Sequence, residues 1–338
     1  MSPSLYHSVP KSQWYRLGSR PLLCLLFFTL GCTLSVCFLG SMDCPSPYVD
    51  KIVSTDRSDV SNIGDKVDKT KKLVVLIMSA PDNVIKRHAL RLTWLSLVNH
   101  ESVKYFFVIG SKHVQGNSEN VLLTEEGHYS DLLILPNVDE GYDLLTAKLL
   151  ASLTWMSKNL DFEFLLKVDD DSYVDIRQLV RELSRKTDTK NLYWGYFNGH
   201  AQVKQTGKWA EQNWNLCDHY LPYARGGGYI LSRRLVHYLA ENSKLLNIYK
   251  NEDVSVGAWL APLNVTRVHD PRFDTEWASR GCSNQHLITH PQEVSEIYKL
   301  HESLSNYGFM CQRESVKRRA YSYDWSVLPS KCCKTPSA

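Results

Sequence analysis

Three consecutive carboxylates, Asp169, Asp170 and Asp171, close the apolar run "FEFLLKV" at residues 162–168, and a helical pattern resumes after them. Like charges this close repel, and removing them from water adds to the cost. Such a run calls for a positive partner. A helix starting downstream uses one aspartate, at most two, to cap its N-terminus; a third is more than capping requires. A divalent cation with oxygen ligands relieves the repulsion. Calcium usually gathers more carboxylates or carbonyls than this stretch offers. Magnesium or manganese is held by one or two carboxylates together with substrate phosphates. The Asp-x-Asp spacing therefore points to a nucleotide diphosphate, whose departure a bound cation assists.

A second acidic pair, Glu252 and Asp253, opens the stretch "NEDVSVGAWLAP". Capping of a short helix is one reading. The other is a general base that takes a proton from an attacking hydroxyl. A base, a leaving group held by a cation and one displacement make a complete inverting transfer. Paired carboxylates for glycoside hydrolysis are the rival chemistry, and they leave the aspartate triplet unexplained. The segment "KWAEQNWNLCDHYLPYA" is rich in aromatic residues, and Trp209, Trp214 and Tyr220 are candidates to bound an acceptor pocket, core packing being the alternative. No Walker loop and no GxGxxG occurs; "RGGG" at residues 225–228 is read as a tight turn that admits close backbone approach.

These groups need a frame. "LVVLIMSA" (73–80), "VKYFFVIG" (103–110), "DLLILP" (131–136) and "FEFLLKV" read as buried strands. Residues 82–95, with Asp82 available as a cap, and residues 142–160 have helical spacing. Strands alternating with helices predict an α/β layer sandwich with a mostly parallel sheet. Ligands of such sheets gather at the C-terminal strand ends, where the triplet lies.

The 338-residue chain carries a net charge of +3 with ordinary hydrophobic and charged content, and no basic cluster interleaved with aromatics argues for nucleic acid. Residues 21–40 contain no charge and, at roughly 20 residues, match a bilayer core of about 30 Å. Lys11, Arg16 and Arg20 precede them, Asp43 and Asp50 follow, so the reading is a single anchor with the N-terminus cytosolic. A cleaved signal peptide would have a shorter apolar region. The expected organisation is a tail at 1–20, an anchor at 21–40, a polar stem at 41–71 and a catalytic domain at 72–338. Cys44, Cys217, Cys282, Cys311, Cys332 and Cys333 follow the anchor, an even number compatible with disulfides in an oxidising lumen. Asn264 heads the sequon "NVT".

Six segments, in order, resemble glycosyltransferase family thirty-one, the β-1,3-glycosyltransferases: "RHALRLTW", "FFVIG", "DEGYDLLTAK", "KVDDDSYV", "YLPYARGGGYILS" and "EDVSVG". Within the family, "HDPRFDTEWASRGCSNQHLITH" and "YDWSVLPSKCC" are similar to members that add β-1,3-galactose to the Gal-β-1,4-Xyl stub of proteoglycan core proteins. The resemblance implies a GT-A fold, a Rossmann-like α/β/α sandwich, with UDP-galactose as donor, Mn2+ as cofactor and a Golgi membrane address. Carried over by position, it implies Asp171 and His290 as metal ligands, with His269 and His286 as competitors. It implies Asp169 and Asp170 at the donor, Asp253 as base and Glu252 at the acceptor. Arg87 and Arg91 are candidates to meet the diphosphate. Leu144 departs from the family, where Asn is common, which puts only local donor contacts in doubt. The rivals are transfer of N-acetylglucosamine to a lactosamine-type acceptor and a non-catalytic folding factor. The intact triplet and Glu-Asp pair argue against the latter.

Overall fold

The computed structural model describes residues 70–335. The expected tail, anchor and nearly all of the stem lie outside them, as do Cys24, Cys32, Cys37 and Cys44. Among the described residues no helix is long and apolar enough to cross a membrane.

The elements run β1 (Lys71–Met78), α1 (Val84–Leu92), β2 (Val103–Gly110), α2 (Asn117–Tyr129), β3 (Leu132–Leu135), α3 (Leu145–Asn159), β4 (Phe162–Asp169), β5 (Tyr173–Val174) and α4 (Ile176–Arg185). Then follow β6 (Leu192–Asn198), β7 (Tyr223–Ser232), α5 (Arg233–Glu241), α6 (Glu252–Leu260), β8 (Thr266–His269), β9 (Phe273–Asp274), β10 (Gly281–Cys282), β11 (Ile288–Thr289), α7 (Val294–Tyr307) and β12 (Ser315–Val316). The main sheet has the order β3-β2-β1-β4-β7-β6-β8. The pairings among β3, β2, β1 and β4 are parallel, as is β6 with β8; β7 is antiparallel to both of its neighbours.

Strand β1 explains the layering. Side chains alternate along a strand, so Leu73, Val75 and Ile77 enter one core with α1, α4 and α7, and Val74, Leu76 and Met78 enter the other with α3, α5 and α6. Each such side chain contributes about 1.5–3 kcal/mol through removal from water. A strand buried on both faces reads as a continuous apolar run, which is why β1, β2, β3 and β4 fall where the sequence pattern predicts. Helices cover both faces, giving a mixed α/β/α sandwich.

Three local readings require correction. "RGGG" is no turn: it lies inside β7, with Lys167 opposite Tyr229 and Val168 opposite Gly228. Asp82 does not cap α1. The N-cap is Asn83, whose side chain donates instead to Asp170. The helix after the triplet is capped by none of its members. Asp175 accepts from the Gln178 backbone N–H and does that work, so capping does not account for the three carboxylates.

Candidate active site

The triplet sits where β4 ends, and its three members diverge. Asp170 turns into the protein. Its carboxylate accepts from Ser79 Oγ at 2.8 Å and Asn83 Nδ2 at 2.8 Å, and Lys86 Nζ lies 3.1 Å away. Burial raises its pKa, with Lys86 and these donors opposing. Asp170 thereby anchors the β1–α1 connection to the end of β4. Asp169 and Asp171 face the other way, toward His290.

A small second sheet delivers that histidine. Strand β11 pairs antiparallel with β5, Thr289 opposite Tyr173, and parallel with β9. His290 follows directly. Its Nε2 lies 3.2 Å from Asp171 Oδ1 and 3.6 Å from Asp169 Oδ2. Its Nδ1 is 2.9 Å from the Glu276 carbonyl, which can only accept, so Nδ1 carries the proton and donates. Nε2 is then the nitrogen that faces the two carboxylates, and it offers them a lone pair when the ring is neutral. A proton on Nε2 or a bound cation must stand between these groups, and a second ring nitrogen fixed by a carbonyl is the usual support of a ligating histidine. Asp171 Oδ1 is buried and makes no hydrogen bond of proper geometry. The three ligand atoms lie within 4.8 Å of one another. Burial lowers the His290 pKa, but Asp171 and Asp169 outweigh it and raise it; the pocket favours positive charge. Two carboxylates and one imidazole fit a divalent metal such as magnesium or manganese.

The Glu252–Asp253 pair starts α6 on the far side of β7. The Asp253 carboxylate accepts from the Gly226 N–H at 3.0 Å and from the Val254 N–H at 2.8 Å. Burial raises its pKa above 3.8; Arg225, Lys167 and the two N–H groups oppose the rise. Glu252 is buried deeper. It accepts from Tyr229 Oη at 3.0 Å and pairs with Lys167 Nζ, and burial pushes its pKa up to about 7 against that lysine. Lys167 also reaches Asp169 Oδ1 at 2.8 Å and the Gly226 carbonyl at 2.6 Å. One buried ammonium thus ties the metal-type cluster to the base-type pair.

Glycines on β7 make this closeness possible. A Cβ on Gly226 would stand 3.1 Å from Glu252 Oε1, and one on Gly227 would stand 2.5 Å from His290 Nδ1. The close approach read from "RGGG" therefore holds, although the turn does not.

Several expected residues are placed elsewhere. Arg87 is wholly buried, bidentate to Glu125 at 2.8 and 2.6 Å and bonded to the Ala80 and Pro81 carbonyls. Arg91 is bidentate to Asp131 at 2.8 and 2.7 Å and stacks on Tyr129. Neither is free to meet a diphosphate. The cation that does face the cluster is Lys86, partly exposed and 3.4 Å from Asp171 Oδ2. The sequence reading passed over it in favour of its neighbour Arg87. Glu252, expected at the acceptor, is closed off beneath the site. Trp214 and Tyr220 pack together and against Tyr249 and Tyr223, with the Trp214 Nε1–H donated to the Cys217 carbonyl; Tyr220 is buried and offers no open face to a sugar, and Trp214 is half-buried in this cluster. Trp209 is 42% exposed, and its carbonyl accepts from Asn251 Nδ2 beside the pair.

The competing histidines are spoken for. His269 Nδ1 accepts from the Phe197 N–H and its ring stacks on Tyr321; His286 lies near Asp274. Asn264 is exposed on the connection between α6 and β8. Disulfides join Cys282 to Cys311 and Cys332 to Cys333, and Cys217 is an exposed thiol.

The galactosyltransferase family profile matches residues 85–271, which include the triplet and the Glu252–Asp253 pair. A mouse protein named beta-1,3-galactosyltransferase 6 is 45% identical over 267 residues, covering 78% of this chain and 82% of that one. Mouse UDP-GalNAc:beta-1,3-N-acetylgalactosaminyltransferase 2 is 34% identical over 209 residues, 61% of this chain and 40% of that one. A solved mannosyltransferase from Pyrobaculum calidifontis, in complex with GDP-Man and Mn2+, overlaps 60% of this chain and 56% of that one at 8% identity, with a TM-score of 0.37, too low to add to the strand order. Profile and sequence relative together show that the chain belongs to the galactosyltransferase family and is a hexosyltransferase.

Proposed function

We propose that this enzyme transfers galactose from UDP-galactose, with inversion, in β-1,3 linkage to the Gal-β-1,4-Xyl stub of a proteoglycan core protein. It would do so from a GT-A type domain on the lumenal side of the Golgi membrane, held by an anchor at residues 21–40. The observation that carries the reading is the bridge made by Lys167 between Asp169 and Glu252, which sets a cation site and a base side by side across β7. The likeness to the mouse galactosyltransferase supports the sugar and the linkage. The acceptor rests on the similarity of the C-terminal segments.

Asp169, Asp171 and His290 would hold Mn2+, which when bound supplies positive charge against the departing diphosphate. Lys86 is placed to add a second cation there. The glycine backbone of β7 lets Asp253 stand close to the reacting centre. Asp253 takes the proton of the acceptor hydroxyl as its oxygen attacks the anomeric carbon from the face opposite the diphosphate. The Gly226 and Val254 N–H groups hold the carboxylate in orientation, and each of its oxygens keeps a lone pair. Tyr229 and Lys167 fix Glu252, which sets where α6 begins and hence where Asp253 lies.

The test is product analysis with the donor exchanged. UDP-galactose should give a β-1,3-linked galactose on the disaccharide, and UDP-N-acetylglucosamine or UDP-N-acetylgalactosamine should not replace it. Efficient use of either amino sugar would change the donor assignment.

A further inference from the structure

We propose that Trp277 is the platform on which the terminal sugar of the acceptor lies, a role that rests on the transferase reading above. Trp277 is 67% exposed, yet the chain on either side of it is fixed. On one side the Glu276 carbonyl takes the His290 Nδ1–H, and the Glu276 carboxylate lies 3.4 Å from Arg318 and 3.8 Å from Arg280. On the other, Arg318 donates to the Ala278 carbonyl, Ser279 Oγ donates to Asp274 at 2.6 Å, and the Arg280 N–H donates to Asp274 at 2.9 Å. The Arg318 guanidinium lies 5.6 Å from the centre of the indole. A large ring left two-thirds exposed on a braced segment gains little from folding beyond its contact with Arg318. Its position suits a ligand instead.

The ligand follows from the place. The residue before Trp277 supports the histidine of the cation cluster. The Gly227 N–H is bonded to the Thr275 carbonyl, so the segment lies against the glycine next to Gly226, whose N–H holds Asp253. Arg225 lies close enough to feel the charge of both Asp253 and Glu276. Trp277 therefore sits on the segment between His290 and Arg225, the cation shared by Asp253 and Glu276, and an acceptor whose hydroxyl reaches Asp253 must come within reach of this segment. A hexose such as galactose presents a patch of C–H groups on one face, which matches the face of an indole. Of the aromatics the sequence singled out, Tyr220 is buried, Trp214 is half-buried among Tyr220 and Tyr249, and Trp209 is the most open competitor.

The experiment compares Trp277→Ala, Trp277→Phe and Trp209→Ala with the parent enzyme. It measures transfer to Gal-β-1,4-Xyl, slow hydrolysis of UDP-galactose without acceptor, and binding of the disaccharide by saturation-transfer NMR. Trp277→Ala should raise the acceptor KM about tenfold with donor hydrolysis and thermal midpoint unchanged, and Phe should restore most of the affinity. An unchanged acceptor KM in an active Trp277→Ala enzyme, or a loss confined to Trp209→Ala, overturns the platform and leaves the function standing. A parent enzyme that neither uses nor binds the disaccharide overturns both.

Discussion

At the scale of single residues, Asp253 and His290 separate base from metal ligand. Asp253→Asn keeps the shape and should retain donor binding while kcat falls by about 10²–10⁴, measured by initial rates beside a UDP-galactose titration. Burial holds the Asp253 pKa above 3.8, with Arg225 the first group opposing it. A base works when ionised, so kcat/KM should fall as pH drops through that raised pKa. Arg225→Leu removes the opposing charge and should move the acid limb to higher pH; a pH–rate profile with an unmoved limb would show that Arg225 does not act on the base. His290→Ala should weaken metal binding with little change at saturating metal concentration in where that limb lies. The triplet was legible because its members are adjacent and their repulsion can be read locally. Arg87 and Arg91 were misplaced because their partners, Glu125 and Asp131, lie far along the chain and on other elements. Trp277 carried no signal beyond its type; its exposure appears only when the Thr275–Ser279 segment is folded against β7.

At the scale of elements, the glycines of β7 and α6 set the spacing of the site. Gly257→Ala would bring a Cβ to 2.5 Å from Tyr223 Cβ and 2.8 Å from the Pro222 carbonyl. The helix must then lift from the strand, so transfer should fall more than donor binding. Gly227→Ala intrudes on the His290 ring and should act mainly on metal affinity, which a manganese titration of activity measures. Lys167 is the electrostatic pin between β4 and α6. Lys167→Met leaves Glu252 and Asp169 without their buried cation and should cost about 3–5 kcal/mol in chemical denaturation. Adding Glu252→Gln should recover part of that loss. The parallel strands were legible from their unbroken apolar runs, since burial on both faces leaves that pattern. Strand β7 was not, because Gly226, Gly227 and Gly228 suggest a turn until the groups that crowd them are known.

At the scale of the whole molecule, the Cys282–Cys311 bond ties β10 to the chain beyond α7 across a separation of 29 residues. Cys282→Ser should lower stability by about 2–4 kcal/mol on the chain-entropy account, read as an earlier unfolding transition with the rate at low temperature little changed. The layered sandwich was legible from alternating strand and helix patterns. The pairing of cysteines was not, because spacing alone does not choose partners. The central claim is tested most directly with the fragment lacking residues 1–44, supplied with UDP-galactose, manganese and Gal-β-1,4-Xyl, with and without EDTA. A soluble fragment that forms β-1,3-linked galactose, and stops when the chelator is added, is the result expected. Transfer at full rate in EDTA would contradict the cation site at Asp169, Asp171 and His290, and donor binding without any transfer would contradict the acceptor.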